Sequence, residues 1–258
     1  MMSTFKILQF NMQFGQRWDD KDPDHAPIDL NLTIAEIRSH DADIVLLQEV
    51  EHAQPGVVPQ DPPENYTRLR AALPGYDGFF WCRQYDPREL PFGVGLAILS
   101  KTPLRDGMSR DLPSPPIEFE FNGEMKTPTD RLLIGATTTI GGRDLRIFNT
   151  HLLAFFMLKS SSEIHMSQRE MVLEQLRASK GPTVLGGDFN VSKHESLVRQ
   201  FSEAGYQAVE NDEITWRRRP FVLDHIFYSK HLRPVRHEVQ PTPASDHHTL
   251  TAEFEFTG

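Results

Sequence analysis

The run Val184–Val191, with the sequence VLGGDFNV, ends an apolar stretch in two glycines and then presents Asp188 and Asn190. Side chains two positions apart in a β-strand point to the same face, so a strand ending here would place a carboxylate beside an amide. Such groups suit a hard cation and an anionic substrate oxygen. The alternative is a strand followed by an Asp/Asn turn, which the same residue types favour.

Other strand-like segments of the chain also close on polar groups. The residues at or near these ends are Asn11, Glu49, Asn149, His151, Asp224, Asp246 and His247. Polar groups at the ends of buried strands are tolerated only where partners satisfy them. We therefore expect these strand ends to share one polar cleft.

The elements that position these residues alternate along the chain. Helical spacing of apolar residues predicts helices over 29–40, 63–73, 165–179 and 195–204. Strands are predicted over 5–11, 42–49, 79–83, 94–100, 131–140, 145–149, 183–187, 221–228 and 251–256. Gly141-Gly142-Arg143 indicates a hairpin between two of them. Hairpin-linked strands mixed with helical crossovers favour an α/β fold of mixed sheets covered by helices.

Bulk properties narrow the class of protein. The chain has 258 residues and no linker-like stretch, which favours one domain over 1–258. Cys82 is the only cysteine, so we expect a core residue and neither a disulfide framework nor a thiolate zinc site. No signal-peptide pattern and no apolar run of about 20 residues is present, and we expect a cytoplasmic monomer with no integral membrane segment. The net charge of -9 disfavours a nucleic-acid-coating protein but leaves nucleic acid open as a substrate.

The order of the polar motifs resembles the endonuclease/exonuclease/phosphatase superfamily, the group around deoxyribonuclease I. The resemblance extends over essentially the whole chain. It is carried by Asn11, Gln48-Glu49, Asn149-Thr-His151, Gly187-Asp-Phe-Asn190, Asp224 and Ser245-Asp-His247. It implies a four-layer α/β sandwich in which two packed mixed β-sheets lie between helices. It also implies a divalent-metal-dependent phosphoesterase that hydrolyses its substrate by in-line attack of water.

The same resemblance implies roles for individual residues. Glu49 matches the principal ligand of Mg²⁺ or Mn²⁺, and Asp246 would share that ion or a second one. Asn11 would support the metal site or bind a phosphate oxygen. Asp188 matches the residue that orients or deprotonates the attacking water, and Asn190 would hold a phosphate oxygen.

Two histidines complete the implied site. His247 would pair with Asp224, which fixes its tautomer and favours its cationic form. His151 would stabilise charge or protonate the leaving group. Arg131 opens a strand and is a candidate phosphate ligand, with a simple salt bridge as the equal alternative. The basic run 217–219 could line the cleft, although such runs are more often solvated loops.

One position departs from part of the family. The abasic-site endonucleases carry a carboxylate two residues after the first Asn, where this chain has Gln13. This departure argues against that subgroup and against a second strong metal position near Asn11. Loops 16–27 and 152–162 are expected to select the substrate.

The substrate itself stays open among nucleic acid, a nucleotide-like small diester, a lipid headgroup and a sugar or inositol phosphate. A phosphodiester is expected over a phosphomonoester. A family member that binds a phosphorylated ligand without turnover is the alternative from a different functional class.

Overall fold

A computed structural model of the chain describes residues 4–54, 60–84, 86–209 and 212–257. Its strands are β1 (Thr4–Asn11), β2 (Ile44–His52), β3 (Asp77–Trp81), β4 (Gly93–Ser100), β5 (Arg105–Leu112), β6 (Phe119–Phe121), β7 (Glu124–Lys126), β8 (Arg131–Ile140), β9 (Arg143–His151), β10 (Thr183–Asp188), β11 (Tyr206–Ala208), β12 (Asp224–Ser229), β13 (Leu232–Gln240) and β14 (Thr249–Phe256). Its helices are α1 (Leu30–His40), α2 (Glu64–Ala72), α3 (Ser167–Ala178) and α4 (His194–Glu203). Short 3-10 helices occupy Gln13–Gly15 and Phe155–Leu158.

The strands form two six-stranded mixed sheets and one small hairpin. The first sheet has the order β13-β14-β1-β2-β4-β3 and the second has the order β11-β12-β10-β9-β8-β5. β1 is parallel to β2, and β9 is parallel to β10, whereas the other strand pairs are antiparallel. The hairpin between β8 and β9 turns at Gly141 and Gly142, both at positive φ, as the two-residue turn requires.

Three apolar clusters account for the layering. The inner faces of both sheets pack together through residues such as Ile7, Ile98 and Ile134. The outer face of the first sheet meets α1, with Leu30 and Ile34 among the contacts. The outer face of the second sheet packs in the same way against α3 and α4. The chain is therefore a helix–sheet–sheet–helix sandwich, and the predicted fold class is confirmed.

The sheet topology brings the polar strand ends together. The parallel strands β1 and β2 finish at one end of the sandwich, and β9 and β10 of the second sheet finish at the same end. β14 runs antiparallel to β1, and β12 runs antiparallel to β10, so β14 and β12 begin at this end. This end of the sandwich holds the candidate site.

Candidate active site

Glu49 reaches the site through a local break in its strand. The residue has φ 52°, and the pairing of β2 with β4 shifts register between Gln48 and Glu51. Bulges of this kind re-aim a side chain and are common beside functional sites. Gly93 on the neighbouring strand leaves the space, because a Cβ there would overlap the Glu49 side chain.

Asn11 links the two central carboxylates. Its Nδ2 donates to Glu49 Oε1 and to Asp188 Oδ2, both at 3.0 Å. Its Oδ1 accepts from the backbone N–H of Gln13 at 3.1 Å, which fixes the amide. The polar N–H₂ group therefore sits between two carboxylates, one from each sheet.

The end of β10 differs in detail from a straight strand. Asp188 is its last residue, and Asn190 adopts φ 50° beyond it. The chain turns because Asp188 Oδ1 accepts from the backbone N–H of Asn190 at 3.0 Å. Asn190 Nδ2 still reaches the site and lies 3.0 Å from His151 Nε2. The Asp/Asn turn and the polar cleft, which are alternatives on sequence grounds, thus occur together.

Two histidines flank Asp188 in different charge states. Both His151 Nε2 and His247 Nε2 lie 3.6 Å from Asp188 Oδ2. Burial lowers the pKa of His151 well below its usual value, and the charges of Arg131 and His247 lower it further. Burial also opposes the charge of His247, but Asp224 and Asp188 outweigh burial and raise its pKa to about 10. His247 is therefore the cation at neutral pH, and His151 is neutral.

Asp224 is held on both of its carboxylate oxygens. Oδ2 lies 2.8 Å from His247 Nδ1, the contact that the family resemblance implies. Oδ1 accepts from Gln9 Nε2 at 3.3 Å. Its backbone N–H donates to Thr215 Oγ1 at 3.1 Å. The carboxylate is fully buried and can hold the imidazole in one orientation.

A buried amide network continues from Gln9 across the interface between the sheets. Gln9 and Gln48 exchange hydrogen bonds, and Gln48 Nε2 donates to Asn149 Oδ1 at 2.6 Å. Asn149 Nδ2 donates to the carbonyl oxygens of Leu47 and Ala97. Asn149 therefore lies in the core between the sheets, and only His151, two positions on, faces the cleft.

Two groups of three close donor atoms lie at the site, and they share Asp188. In the group of Asp188, Asp224 and His247, His247 Nδ1 is already paired with Asp224. The other group fits a small divalent cation. Glu49, His151 and Asp188 each offer one donor atom, and these atoms lie within 4.8 Å of one another. Donors on opposite sides of a Mg²⁺ ion are about 4 Å apart, since its bonds are about 2.0–2.1 Å long.

Burial raises the pKa of Glu49 more than the Asn11 hydrogen bond lowers it, and burial raises the pKa of Asp188 to about 7. A bound cation would stabilise the ionised form of both carboxylates and so offset the cost of their burial.

Asp246 lies beside this cluster but is already paired. Its Oδ2 accepts from Arg218 Nε at 2.7 Å and from Trp216 Nε1 at 3.1 Å. Among the residues that the structure describes, no group of three close metal donors includes Asp246. Trp216 and Arg218 were not among the predicted site residues. The sequence indicated Arg218 only as part of the basic run 217–219, which could line the cleft, and nothing in the sequence singled out Trp216.

Arg131 and His151 line a cleft of about 920 Å³. Arg131 Nε is buried and has no hydrogen-bond partner within the described part of the chain. Other residues that line this cleft include Phe14, His52, Trp81 and Arg83. Cys82 also lines this cleft and is only partly buried, with its pKa raised by burial to about 12. A thiol with so high a pKa is a poor nucleophile at neutral pH.

The loop that follows His151 contains several apolar side chains. Phe155 is buried and stacks on His165, whereas Phe156 contacts the rings of Trp216 and Phe221. Met157 is 58% exposed. The loop is thus packed at its base and presents an apolar surface only at its outer turn.

The sequence matches a known family over most of its length. The family model described as "Endonuclease/Exonuclease/phosphatase family" matches residues 8–247. The chain belongs to the endonuclease/exonuclease/phosphatase family and has its phosphoesterase fold.

Solved structures of similar fold extend the comparison. An endonuclease/exonuclease/phosphatase from Beutenbergia cavernae superposes with a TM-score of 0.75 at 22% identity, covering 99% of this chain and 72% of that chain. The human Nocturnin catalytic domain with bound sulfate gives a TM-score of 0.71 at 22% identity, covering 100% of this chain and 96% of that one. At these identities the likeness establishes the fold alone.

Curated relatives by sequence are proteins of the UPF0294 group. One from Yersinia pseudotuberculosis is 32% identical over 139 residues, which is 50% of this chain and 52% of the relative. The chain spans about half the length of the curated relatives it matches. Across the described residues, no helix is long and apolar enough to cross a membrane.

Proposed function

We propose that the protein is a divalent-metal-dependent phosphodiesterase that hydrolyses its substrate by in-line attack of water on phosphorus. The observation that carries the proposal is the position of Asp188 Oδ2, which lies 3.6 Å from a cationic and from a neutral histidine. A module that only bound phosphate would need the cation but not a carboxylate beside it with a pKa near neutrality. The arrangement therefore favours turnover over binding alone.

Glu49 would hold the cation, and Asn11 and Asp188 lie next to it. When bound, Mg²⁺ or Mn²⁺ would neutralise phosphate charge and stabilise the leaving oxygen. The fold supplies this site by bringing one carboxylate from each sheet to the same end of the sandwich, where Asn11 contacts both.

Asp188 is placed to orient the attacking water and to accept its proton. Burial raises its pKa to about 7, so the carboxylate is an adequate base near neutral pH. His247 keeps its positive charge throughout that range and can stabilise the negative charge that develops on phosphorus. The proton on its ring also makes His247 the available acid.

His151 acts as a neutral ring in this scheme. Its Nε2 faces Asn190 Nδ2 at 3.0 Å, so it can orient that amide toward a phosphate oxygen. This role replaces leaving-group protonation, because a histidine with so low a pKa carries no second proton to give at neutral pH.

A phosphodiester fits the charge of the site better than a phosphomonoester. The diester carries one negative charge, whereas a monoester dianion would require more fixed positive charge near phosphorus. Arg218 is already paired with Asp246. Arg131, with its unpartnered Nε, is the observation that favours phosphomonoesterase activity as the second candidate function.

The cleft lined by Arg131 and His151 favours a small organic group on the phosphate over long duplex DNA. Its volume of about 920 Å³ accommodates a nucleotide-sized or headgroup-sized substituent. The chain has 27 basic and 36 acidic residues, and duplex binding depends on many contacts from Lys and Arg to phosphates.

A paired substrate assay tests the proposal. Bis(p-nitrophenyl) phosphate and p-nitrophenyl phosphate share a chromophore, so their kcat/KM values with Mn²⁺ can be compared directly. Single- and double-stranded DNA, RNA, a dinucleotide, sphingomyelin and a sugar phosphate complete the panel. We expect the diester to be preferred and excess chelator to abolish turnover.

Glu49→Gln is the inactive variant in this assay, and Glu174→Gln is its matched control. Glu174 lies on α3, where its exposed carboxylate pairs with Arg110, and it neither lines the cleft nor belongs to the metal-donor group. A preference for the monoester would move the assignment to phosphomonoesterase. Turnover of no phosphate ester, together with binding of phosphate, would favour the non-catalytic alternative.

A further inference from the structure

Asp246 is surrounded by groups that leave it little freedom to bind a metal. Its side chain is 9% exposed, and Oδ2 accepts the two hydrogen bonds from Arg218 and Trp216. Its backbone N–H donates to Gln13 Oε1 at 3.1 Å, and its carbonyl oxygen accepts from the backbone N–H of Arg217 at 2.9 Å. The residue is thus fixed at both its main chain and its carboxylate.

Arg218 is fixed just as firmly. Its Nη1 atom pairs with Asp24 Oδ1 at 2.6 Å while Nε holds Asp246. The guanidinium also lies 5.8 Å from the ring centroid of Trp18, which faces Arg217 as well. Since the side chain is only 27% exposed, the cation is partly removed from water, where its charge is less screened.

Hydrogen bonds join Asp246 to the residues around Glu49. The Asp246 backbone N–H donates to Gln13 Oε1, the Gln13 backbone N–H donates to Asn11 Oδ1, and Asn11 Nδ2 donates to Glu49 Oε1. The charge of Asp246 also raises the pKa of Glu49. Two carboxylates at one site are the donors that a second divalent ion would need. Here the Asp246 carboxylate is compensated by the Arg218 cation, and the neutral Gln13 amide adds no further carboxylate.

We propose that Arg218 occupies the role of a second metal ion, so that the site binds a single divalent cation at Glu49. Arg218 is a positioning residue, because it acts through Asp246. It forms no hydrogen bond or ion pair with Glu49 or Asp188 in the part of the chain that the structure describes. The same side chain ties loop 16–27 to the site through Asp24. This inference rests on the proposed function, whose metal site it makes specific.

Metal stoichiometry in the full chain tests the inference without an activity readout. Mn²⁺ binding to the wild-type protein can be measured by titration calorimetry and by the paramagnetic resonance signal of the free ion. We expect one Mn²⁺ per chain. Binding of no Mn²⁺ would refute the proposed function and this inference with it. Binding of two ions of similar affinity would refute this inference alone.

Variants of the arginine provide the direct comparison. Arg218→Ala should expose Asp246 and create a second, weaker Mn²⁺ site, whereas Arg218→Lys should retain one. Arg217→Ala is the matched control, because Arg217 directs its guanidinium to the carbonyl oxygen of Thr242 and not to the Asp246 carboxylate. A stoichiometry of one in Arg218→Ala, with unchanged affinity, would overturn the inference.

A second pair of variants keeps the test decisive if Arg218→Ala does not fold. Asp246→Asn should keep the affinity of the single Mn²⁺ site close to that of the wild type. Glu49→Gln should lower it by about tenfold or more, since even outer-shell changes cost about 10–100-fold in metal affinity. Equal losses in the two variants would show that Asp246 is a ligand and would contradict the role given to Arg218.

Discussion

Removing the charge of Asp224 should lower the pKa of His247, so that the imidazole loses its proton closer to neutral pH. The rise in the His247 pKa from 6.5 to about 10 corresponds to about 5 kcal/mol of preference for the cationic form, at about 1.4 kcal/mol per tenfold change. Asp224 is the largest of the charges that raise it and accepts its Nδ1–H at 2.8 Å. Loss of one close opposite charge lowers a histidine pKa by about 1–3. In Asp224→Asn we therefore expect a pKa of about 7–9.

Histidine ring NMR measures this directly. The Cε1–H signal of His247, assigned with His247→Gln, should stay in its cationic position from pH 6 to about 9 in the wild type. In Asp224→Asn it should titrate within that range. Asp144→Asn is the control, because Asp144 is an exposed carboxylate in an ion pair with Arg105 far from the histidines in the fold.

The same variant should change the pH dependence of activity and of stability. Its rate should fall above about pH 8, whereas the wild type should retain its rate to about pH 9, since only the cation serves the reaction. The stabilising effect of the His247 charge is complete below the unfolded pKa of 6.5 and is lost as the pH rises through about 10. The double variant with His247→Ala should cost little more than the worse single variant. A His247 signal that does not titrate below pH 9 in Asp224→Asn, or additive losses of rate, would refute this reasoning.

Three further predictions concern the metal site and the buried amides. Burial raises the Asp188 pKa to about 7, so stability falls as the pH rises from 3.8 to about 7, and the ionised carboxylate opposes folding in full above that pH. A bound cation offsets this cost, so Mn²⁺ should raise Tm more at pH 8 than at pH 6; an equal rise at both would contradict this. Gly93→Ala should displace Glu49 and weaken Mn²⁺ binding, whereas Gly75→Ala, where an added Cβ meets nothing within 4 Å, should bind Mn²⁺ like the wild type. Gln9→Leu leaves buried amide groups unpaired and should lower the free energy of unfolding by about 1–3 kcal/mol in urea denaturation. A Gln9→Leu protein as stable as the wild type would show that the network carries no such energy.

Elements with a regular pattern of buried apolar residues could be predicted from the sequence. The four predicted helices are all present, with boundaries that differ by one or two residues. The strands missed by pattern alone are β5, β11 and β13, which lie at the edges of the two large sheets, and β6 and β7, which form the separate short hairpin. β13 carries Pro234 and exposed arginines, and β5 is mostly polar, because one side of an edge strand faces solvent and needs no apolar alternation.

The site is harder to predict from the sequence, because it depends on irregular backbone conformations and on partners that are distant in the chain. Strand alternation does not predict the positive φ values of Glu49 and Asn190 that turn their side chains into the cleft. Glu51 resembles a solvated strand end, yet it caps α2 through two backbone N–H groups. The pairing of Asp246 with Arg218 is set by tertiary packing of segments that are 28 residues apart.

The cleavage of bis(p-nitrophenyl) phosphate as Mn²⁺ is titrated into metal-free protein tests the central claim most directly. We predict no turnover in excess chelator, full turnover on adding Mn²⁺, and a loss of about 10²-fold or more in kcat/KM for Glu49→Gln, comparable to removal of one preorganised charge-stabilising group. Turnover that persists in chelator, or a Glu49→Gln variant as active as the Glu174→Gln control, would contradict a metal-dependent phosphodiesterase centred on Glu49.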